Sequence, residues 1–370
     1  MPEASSAGAR APHDVRRRPV VFAVPGDLER PTGGYAYARH LLAELPRLGI
    51  PISHLALPGG FPFPDPNDLA ETEQLIYGIP HDAVLLVDGL AYGAFPRALA
   101  ARIPQTIVAL VHHPLAIEHG LGEAATARLL ASERAALAHA DGVIAASAET
   151  ARRLAADYAV PINRIVIAEP GTDPAERARG SEANGGECGP VALISVGAVS
   201  PRKGYDLLID ALARLADAPW RLTIVGSLEH DVGTADQLRA QIASQGLAHR
   251  VTLTGAICKD ARDRLLAISD LFVMASHHEG YGMVLAEAMA RGLAIVTTRA
   301  GAAAETVPDG AALKVACGDV GGLAAALERA ISSRDLRQEL AAASWDAGQR
   351  LPTWTDTARR VVAGLERATP

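Results

Sequence analysis

Two carboxylates, Glu279 and Glu287, flank the glycine turn in the run Ala275-Ser-His-His-Glu-Gly-Tyr-Gly-Met-Val-Leu-Ala-Glu-Ala-Met-Ala-Arg-Gly292. An apolar strand pattern leads into this turn, and the turn opens a helix that Gly292 closes. The backbone N–H groups of Gly282, Met283 and Val284 then lie free at a helix N-terminus, where they can bind phosphate. Glu279 precedes the helix, in reach of whatever is attached beyond such a phosphate. Glu287 lies about a turn and a half into it, where a carboxylate can accept hydrogen bonds from a vicinal diol such as a ribose. Either glutamate alone could be a solvated charge. Together with two glycines at a strand–helix junction, they favour a ligand site.

A second run, Ser195-Val-Gly197-Ala-Val-Ser-Pro-Arg202-Lys203-Gly204-Tyr-Asp206, reads as a strand, a turn with two adjacent cations, and the start of an amphipathic helix. Arg202 and Lys203 at the strand's C-terminal end are suited to a diphosphate. Only three of the 35 basic residues are lysine (Lys203, Lys259 and Lys314), so a retained ammonium is mildly informative. Earlier in the chain, Gly33 and Gly34 in Pro31-Thr-Gly-Gly-Tyr35 follow a strand and open a helix. His112 and His113 end another strand before Pro114. Asp88 and Glu118 end or follow strands on the same side; neither belongs to a motif, and both read as structural. No Asp-x-Asp stands at a strand end and no Gly-x-Gly-x-x-Gly follows Val24, so neither a metal nor a resident cofactor is expected.

Positioning these residues takes parallel α/β architecture, because apolar runs of five to seven residues alternate with amphipathic stretches almost to the end. Strands are expected at Val20–Val24, Ile52–Leu57, Ala83–Val87, Thr106–Val111, Gly142–Ala146 and Ile165–Ala168. After a turn-rich stretch they resume at Val191–Val196, Arg221–Val225, Val251–Leu253, Leu271–Ala275 and Leu293–Thr297. The expected organisation is a disordered N-terminus (1–15), a first Rossmann-like domain (16–172), a linker (173–190) and a second Rossmann-like domain (191–350). A helix over 351–370 would pack back on the first domain. Doubly wound units bind ligands at the C-terminal ends of their strands, so two facing units make a cleft.

Composition excludes several classes. A net charge of -7 argues against general nucleic-acid binding. No apolar run is long enough for a transmembrane helix. The stretch after Arg16-Arg17-Arg18 stops at Pro25-Gly26 with no cleavage site, so it is not expected to be a signal peptide. Cys188, Cys258 and Cys317 show no metal-ligand spacing and suit a reducing cytoplasm. Peripheral contact with a membrane surface is left open.

The ordered series Gly-x5-Lys-Gly-x-Asp-x-Leu, Val225-Gly226, Val251-Thr-Leu-Thr-Gly255 and Glu-Gly-Tyr-Gly with Glu-x7-Glu resembles the retaining family 4 glycosyltransferases of GT-B fold, over most of residues 191–330. The resemblance implies two Rossmann-like domains facing a cleft and metal-independent transfer of a sugar from a nucleoside diphosphate sugar to an acceptor the sequence does not name. It implies that Lys203 contacts the donor diphosphate, Glu279 the transferred sugar and Glu287 the ribose. It also implies that Gly33 and Gly34 form the glycine loop beside the phosphate, and that His112 lines the cleft near the sugar. Many members carry Arg directly after the glycine matching Gly197; here it is Ala198, and Arg202 is the candidate second cation. Two other readings share these features. An epimerase or hydrolase of nucleotide sugars would turn over without an acceptor, and a non-catalytic two-lobed binding protein would not turn over at all.

Overall fold

The computed structural model describes residues 15–181 and 189–369. The expected disordered N-terminus therefore lies outside the described residues, except Val15, which is buried in a short 3-10 turn. Residues 182–188 of the expected linker, with Cys188, also lie outside them.

The first domain is a six-stranded parallel sheet: β1 (Val20–Pro25), β2 (Ile52–Leu57), β3 (Val84–Asp88), β4 (Thr106–Val111), β5 (Gly142–Ala145) and β6 (Ile165–Ile167), in the order β2-β1-β3-β4-β5-β6. Its helices are α1 (Gly33–Arg47), α2 (Pro66–Tyr77), α3 (Gly89–Tyr92), α4 (Arg97–Ala100), α5 (Glu123–Leu137) and α6 (Ala148–Asp157). β1, β3 and β5 are buried along their whole length, and β4 in all but its first residue. Apolar, β-branched runs of this kind form such strands when helices cover both sheet faces.

The second domain repeats the plan with β7 (Val191–Val196), β8 (Trp220–Val225), β9 (Val251–Leu253), β10 (Leu271–Met274), β11 (Ala294–Thr298) and β12 (Ala312–Val315), ordered β12-β11-β10-β7-β8-β9. Its helices are α7 (Tyr205–Ala213), α8 (Val232–Ser244), α9 (Lys259–Ala267), α10 (Met283–Ala290), α11 (Ala303–Thr306), α12 (Val320–Ser332) and α13 (Arg334–Gly348). The strand order reverses between β7 and β10 here, and between β1 and β3 in the first domain. Crevices for ligands form at such switch points, outside the carboxyl ends of the strands.

The last helix, α14 (Trp354–Ala368), leaves the second domain and lies against α1, β4, β5 and β6 of the first. Its Trp354, Ala358, Val361 and Leu365 join the core around Phe22, Tyr37 and Leu41. The sequence reading holds neither β12 nor the helices α2 and α13, nor the four-residue helices α3, α4 and α11. The stretch 172–181 forms no regular element but is tied down, chiefly to the second domain. Ala178 N–H bonds Arg291 carbonyl (2.8 Å), Arg179 N–H bonds Ala267 carbonyl (2.8 Å), and Ser181 bonds the Asp270 carboxylate.

Candidate functional site

β10 runs on into Ala275 and Ser276, and the chain turns so that the Glu279 side chain points back into the junction with β7. The turn is pinned by backbone bonds from Glu279 N–H to Ala300 carbonyl (3.2 Å) and from Ala302 N–H to Glu279 carbonyl (2.9 Å). Across the switch point, the short turn Pro201–Lys203 and Gly204 bring the basic pair alongside. Gly204 has φ +60, and a Cβ there would lie 2.3 Å from the Ala275 carbonyl oxygen, so only glycine lets the two strand ends meet this closely. The result is a compact charge cluster. Lys203 Nζ donates to Glu279 Oε1 (2.7 Å), the Ser276 hydroxyl donates to the same oxygen (2.7 Å), and Arg202 Nη1 lies 3.2 Å from Glu279 Oε2.

Burial works against every charge in this cluster, and pairing decides the outcome. Burial alone would raise the Glu279 proton affinity, but Lys203 and Arg202 hold it well below the usual carboxylate range. Burial pulls Lys203 below the ordinary lysine value even with Glu279 beside it. Glu287, on α10, sits near Arg262 (3.4 Å to Oε2), yet that buried oxygen accepts no hydrogen bond, and burial raises its proton affinity. A buried acceptor without a donor is a position where a ligand hydroxyl can bind. Gly282, at φ +90, caps α10; Leu285 and Ala286 N–H bond back to its carbonyl (2.8 and 3.2 Å), so the N–H groups of Met283 and Val284 head the helix.

The first domain meets this cluster edge on. A Cβ on Gly33 would touch the Met283 sulfur (3.3 Å), and one on Gly34 would touch the His112 imidazole (3.3 Å). A Cβ on Gly280 would fall 2.3 Å from the His112 carbonyl oxygen, so the Glu279 turn lies directly against the end of β4. The His112 ring stands edge-on to Tyr37 (centroids 5.2 Å), and its Nε2 lies 3.4 Å from Asp88 Oδ2. Every candidate residue read from the sequence (Gly33, Gly34, His112, Arg202, Lys203, Glu279, Gly282, Met283, Val284 and Glu287) thus lies at the start of α1, in the turns that follow β4, β7 and β10, or on α10, around one seam.

Two features, Arg202 and Glu118, differ from the sequence reading, and Asp88 has a structural role with one further contact. Arg202, read as a second phosphate cation, is engaged on three sides: with Glu118 Oε1 (3.1 Å), the His278 carbonyl (2.8 Å) and Glu279. Glu118, read as structural, reaches across from the first domain into the cluster. Asp88 caps α3 by accepting Leu90 N–H (2.8 Å) and also faces His112. Strand-end position was the available signal for both acids; Glu118 and Arg202 lie 84 positions apart, and His112 is likewise not a sequence neighbour of Asp88. Among the described residues, no group of three or more His, Cys, Asp or Glu could hold a metal ion, and no helix is long and apolar enough to cross a membrane.

Residues 181–345 match the family described as Glycosyl transferases group 1, and residues 31–176 match Glycosyltransferase Family 4. Among similar curated proteins is a D-inositol 3-phosphate glycosyltransferase of Geodermatophilus obscurus, 28% identical over 66% of this chain and 58% of the relative. Another is an MMP alpha-(1->4)-mannosyltransferase of Mycolicibacterium hassiacum, 27% identical over 84% of this chain and 76% of the relative. The chain spans about half the length of most of the curated relatives it matches. Among solved structures, Anabaena HepE in complex with UDP-glucose superposes with a TM-score of 0.71 at 20% identity, covering 93% of this chain and 98% of that one. With both halves matched in order and the two-sheet architecture shared, the chain belongs to the family 4 glycosyltransferases and has the GT-B fold.

Proposed function

We propose that the chain transfers a glycosyl group from a nucleoside diphosphate sugar to an acceptor hydroxyl, with retention at the anomeric carbon and without a metal. The observation that carries this reading is the buried Lys203–Glu279 pair at the β7/β10 switch point, followed by the N-terminus of α10 and, on that helix, a Glu287 oxygen that accepts no hydrogen bond. In this reading Lys203 and the N–H groups of Met283 and Val284 neutralise the diphosphate, Glu287 takes the ribose diol, and Glu279 orients the sugar hydroxyls. Gly33 and Gly34 leave room for the phosphate and acceptor, and His112 lines the sugar from the first domain.

In the transfer step the bond from the anomeric carbon to the diphosphate oxygen breaks, and its electron pair leaves with the diphosphate. The acceptor oxygen bonds to the same face of that carbon, and its proton passes to the departing phosphate. The chain's contribution is to stabilise charge on the leaving group and to hold the acceptor in place. UDP-glucose in the HepE structure supports a nucleotide-sugar donor. The unpaired thiols Cys258 and Cys317 suit the cytoplasm as the compartment.

The test is a thermal-shift screen of nucleotide sugars, followed by incubation of the best donor with sugar and polyol-phosphate acceptors. NMR of the product should show the donor's anomeric configuration, and turnover should survive EDTA. Loss on chelation restored by Mg²⁺ would refute metal independence. Turnover of donor without any acceptor would favour a hydrolase or epimerase, and donor binding with no turnover would favour a binding protein.

A further inference from the structure

Glu118 follows a 3-10 turn after β4, Leu115–Ile117, and its two carboxylate oxygens face different domains. Oε2 pairs with His113 Nε2 (3.1 Å), the neighbour of His112 in the first domain. Oε1 accepts from Arg202 Nε (3.1 Å) in the second. The turn that carries it is anchored by Leu115 N–H to the buried Glu133 carboxylate (2.9 Å). Packing around the contact is close. A Cβ on Gly120 would lie 3.5 Å from Pro201, the imidazoles of His119 and His277 stack at 4.0 Å, and His277 N–H bonds the Arg202 carbonyl (2.8 Å).

An isolated ion pair at a surface contributes little, but this one ends on a guanidinium that is itself largely buried and already held by Glu279 and the His278 carbonyl. The contacts form one chain of polar groups: His113, Glu118, Arg202, Glu279, Lys203. Within it, the Glu118–Arg202 contact is the link that crosses between domains. A separation of the two domains would break the Glu118–Arg202 contact while leaving Arg202 its partners Glu279 and His278, and Glu118 its partner His113.

Resting on the transferase reading above, we propose that Glu118 is a positioning residue that couples closure of the first domain to the orientation of Arg202 and, through it, of the Glu279 carboxylate. It touches no reacting atom. Its removal should therefore spare nucleotide binding by the second domain and slow the step that needs both domains together.

The experiment uses the full chain as wild type, Glu118→Gln and Glu118→Asp, with UDP and GDP as binding probes. For Glu118→Gln we expect a nucleoside diphosphate Kd at the wild-type value, a kcat lower by about tenfold, and a larger radius of gyration in small-angle scattering with the nucleotide bound. Glu118→Asp, which keeps the charge, should recover part of the kcat and the compact radius. If Kd rises in step with the loss of kcat, or if neither kcat nor radius changes, the coupling is overturned. Scattering reads closure without catalysis. A chain that turns over no donor would sink the proposed activity, while the radius comparison would still decide on Glu118.

Discussion

The ligand ends of the two sheets are built from different chemistry. At the β7/β10 switch point of the second domain, two cations and a carboxylate are buried against one another, next to a helix N-terminus. At or just past the ends of β1, β3 and β4 in the first domain stand two glycines, two histidines, Asp88 and Glu118, with no buried cation pair. A diphosphate needs fixed positive charge, so the proposed function puts it on the second domain. The first domain contributes shape and a few polar groups, which suits a sugar and an acceptor that vary. In the proposed reading the cation-bearing half meets a fixed requirement, and the other half can be rebuilt for each substrate.

The largest effect should come from leaving a charge in the dense cluster without its partner. Lys203→Ala strands Glu279 with Arg202 alone, and removing one partner of a buried pair costs about 3–5 kcal/mol of stability. The double variant Lys203→Ala with Glu279→Ala should lose less than the sum of the two singles, because neither charge is then stranded. Denaturant unfolding of all four proteins measures this. Additive losses would mean that the pair is not coupled as its geometry indicates.

Glu279 and Glu287 sharpen the comparison within the second domain. Glu287→Ala should weaken nucleoside diphosphate and full donor alike, whereas Glu279→Ala should weaken the sugar-bearing donor more than the bare nucleotide. A lost hydrogen bond to a charged group corresponds to about 1.5–3 kcal/mol, roughly tenfold or more in affinity. Each variant titrated with each ligand gives the answer, and identical behaviour of the two would undo their separate roles.

The smallest effect contrasts two buried carboxylates by pH. Glu133 in the first domain has Leu115 N–H and the Tyr158 hydroxyl beside it but no cation, and burial pushes it up to about 8 from an ordinary 4.5. Its folded form therefore favours the proton, and the stability this gives below pH 4.5 is lost as pH rises through about 8. Glu279 has the opposite sign: its contribution is present above 4.5 and is lost as pH falls below it. Glu133→Gln should raise the Tm at pH 8 by a few degrees and leave it unchanged at pH 4. A Tm lowered equally at both would show that the ionised carboxylate is needed by the fold.

The second domain was legible in the sequence because its site is local. Lys203 sits in a strand–turn–helix run, and Glu279 and Glu287 bracket another, so spacing alone places them. The Glu118–Arg202 contact spans 84 positions, and no periodicity carries it. Arg202 therefore read as a phosphate cation, although in the fold Glu118, Glu279 and a backbone carbonyl hold it. The missed elements have related causes. α2 buries only Thr72 and Ile76 and is fixed by a capping box from Asp65 and Asp68. β12 is a four-residue edge strand carrying Lys314, and α13 buries only Leu340 and Ser344 and is separated from α12 by Ser333 alone. Elements held by caps and edges leave a weaker apolar pattern than those buried on two faces.

The division of labour between the domains is tested most directly by calorimetric titration of UDP and GDP into wild type, Lys203→Ala and His112→Ala, with turnover measured on the same preparations. Lys203→Ala should weaken the preferred nucleotide by about tenfold or more. His112→Ala should bind it at the wild-type affinity while losing turnover. If His112→Ala loses nucleotide affinity as Lys203→Ala does, or if Lys203→Ala binds as wild type does, the diphosphate is not held by the second domain in the way its buried charges indicate.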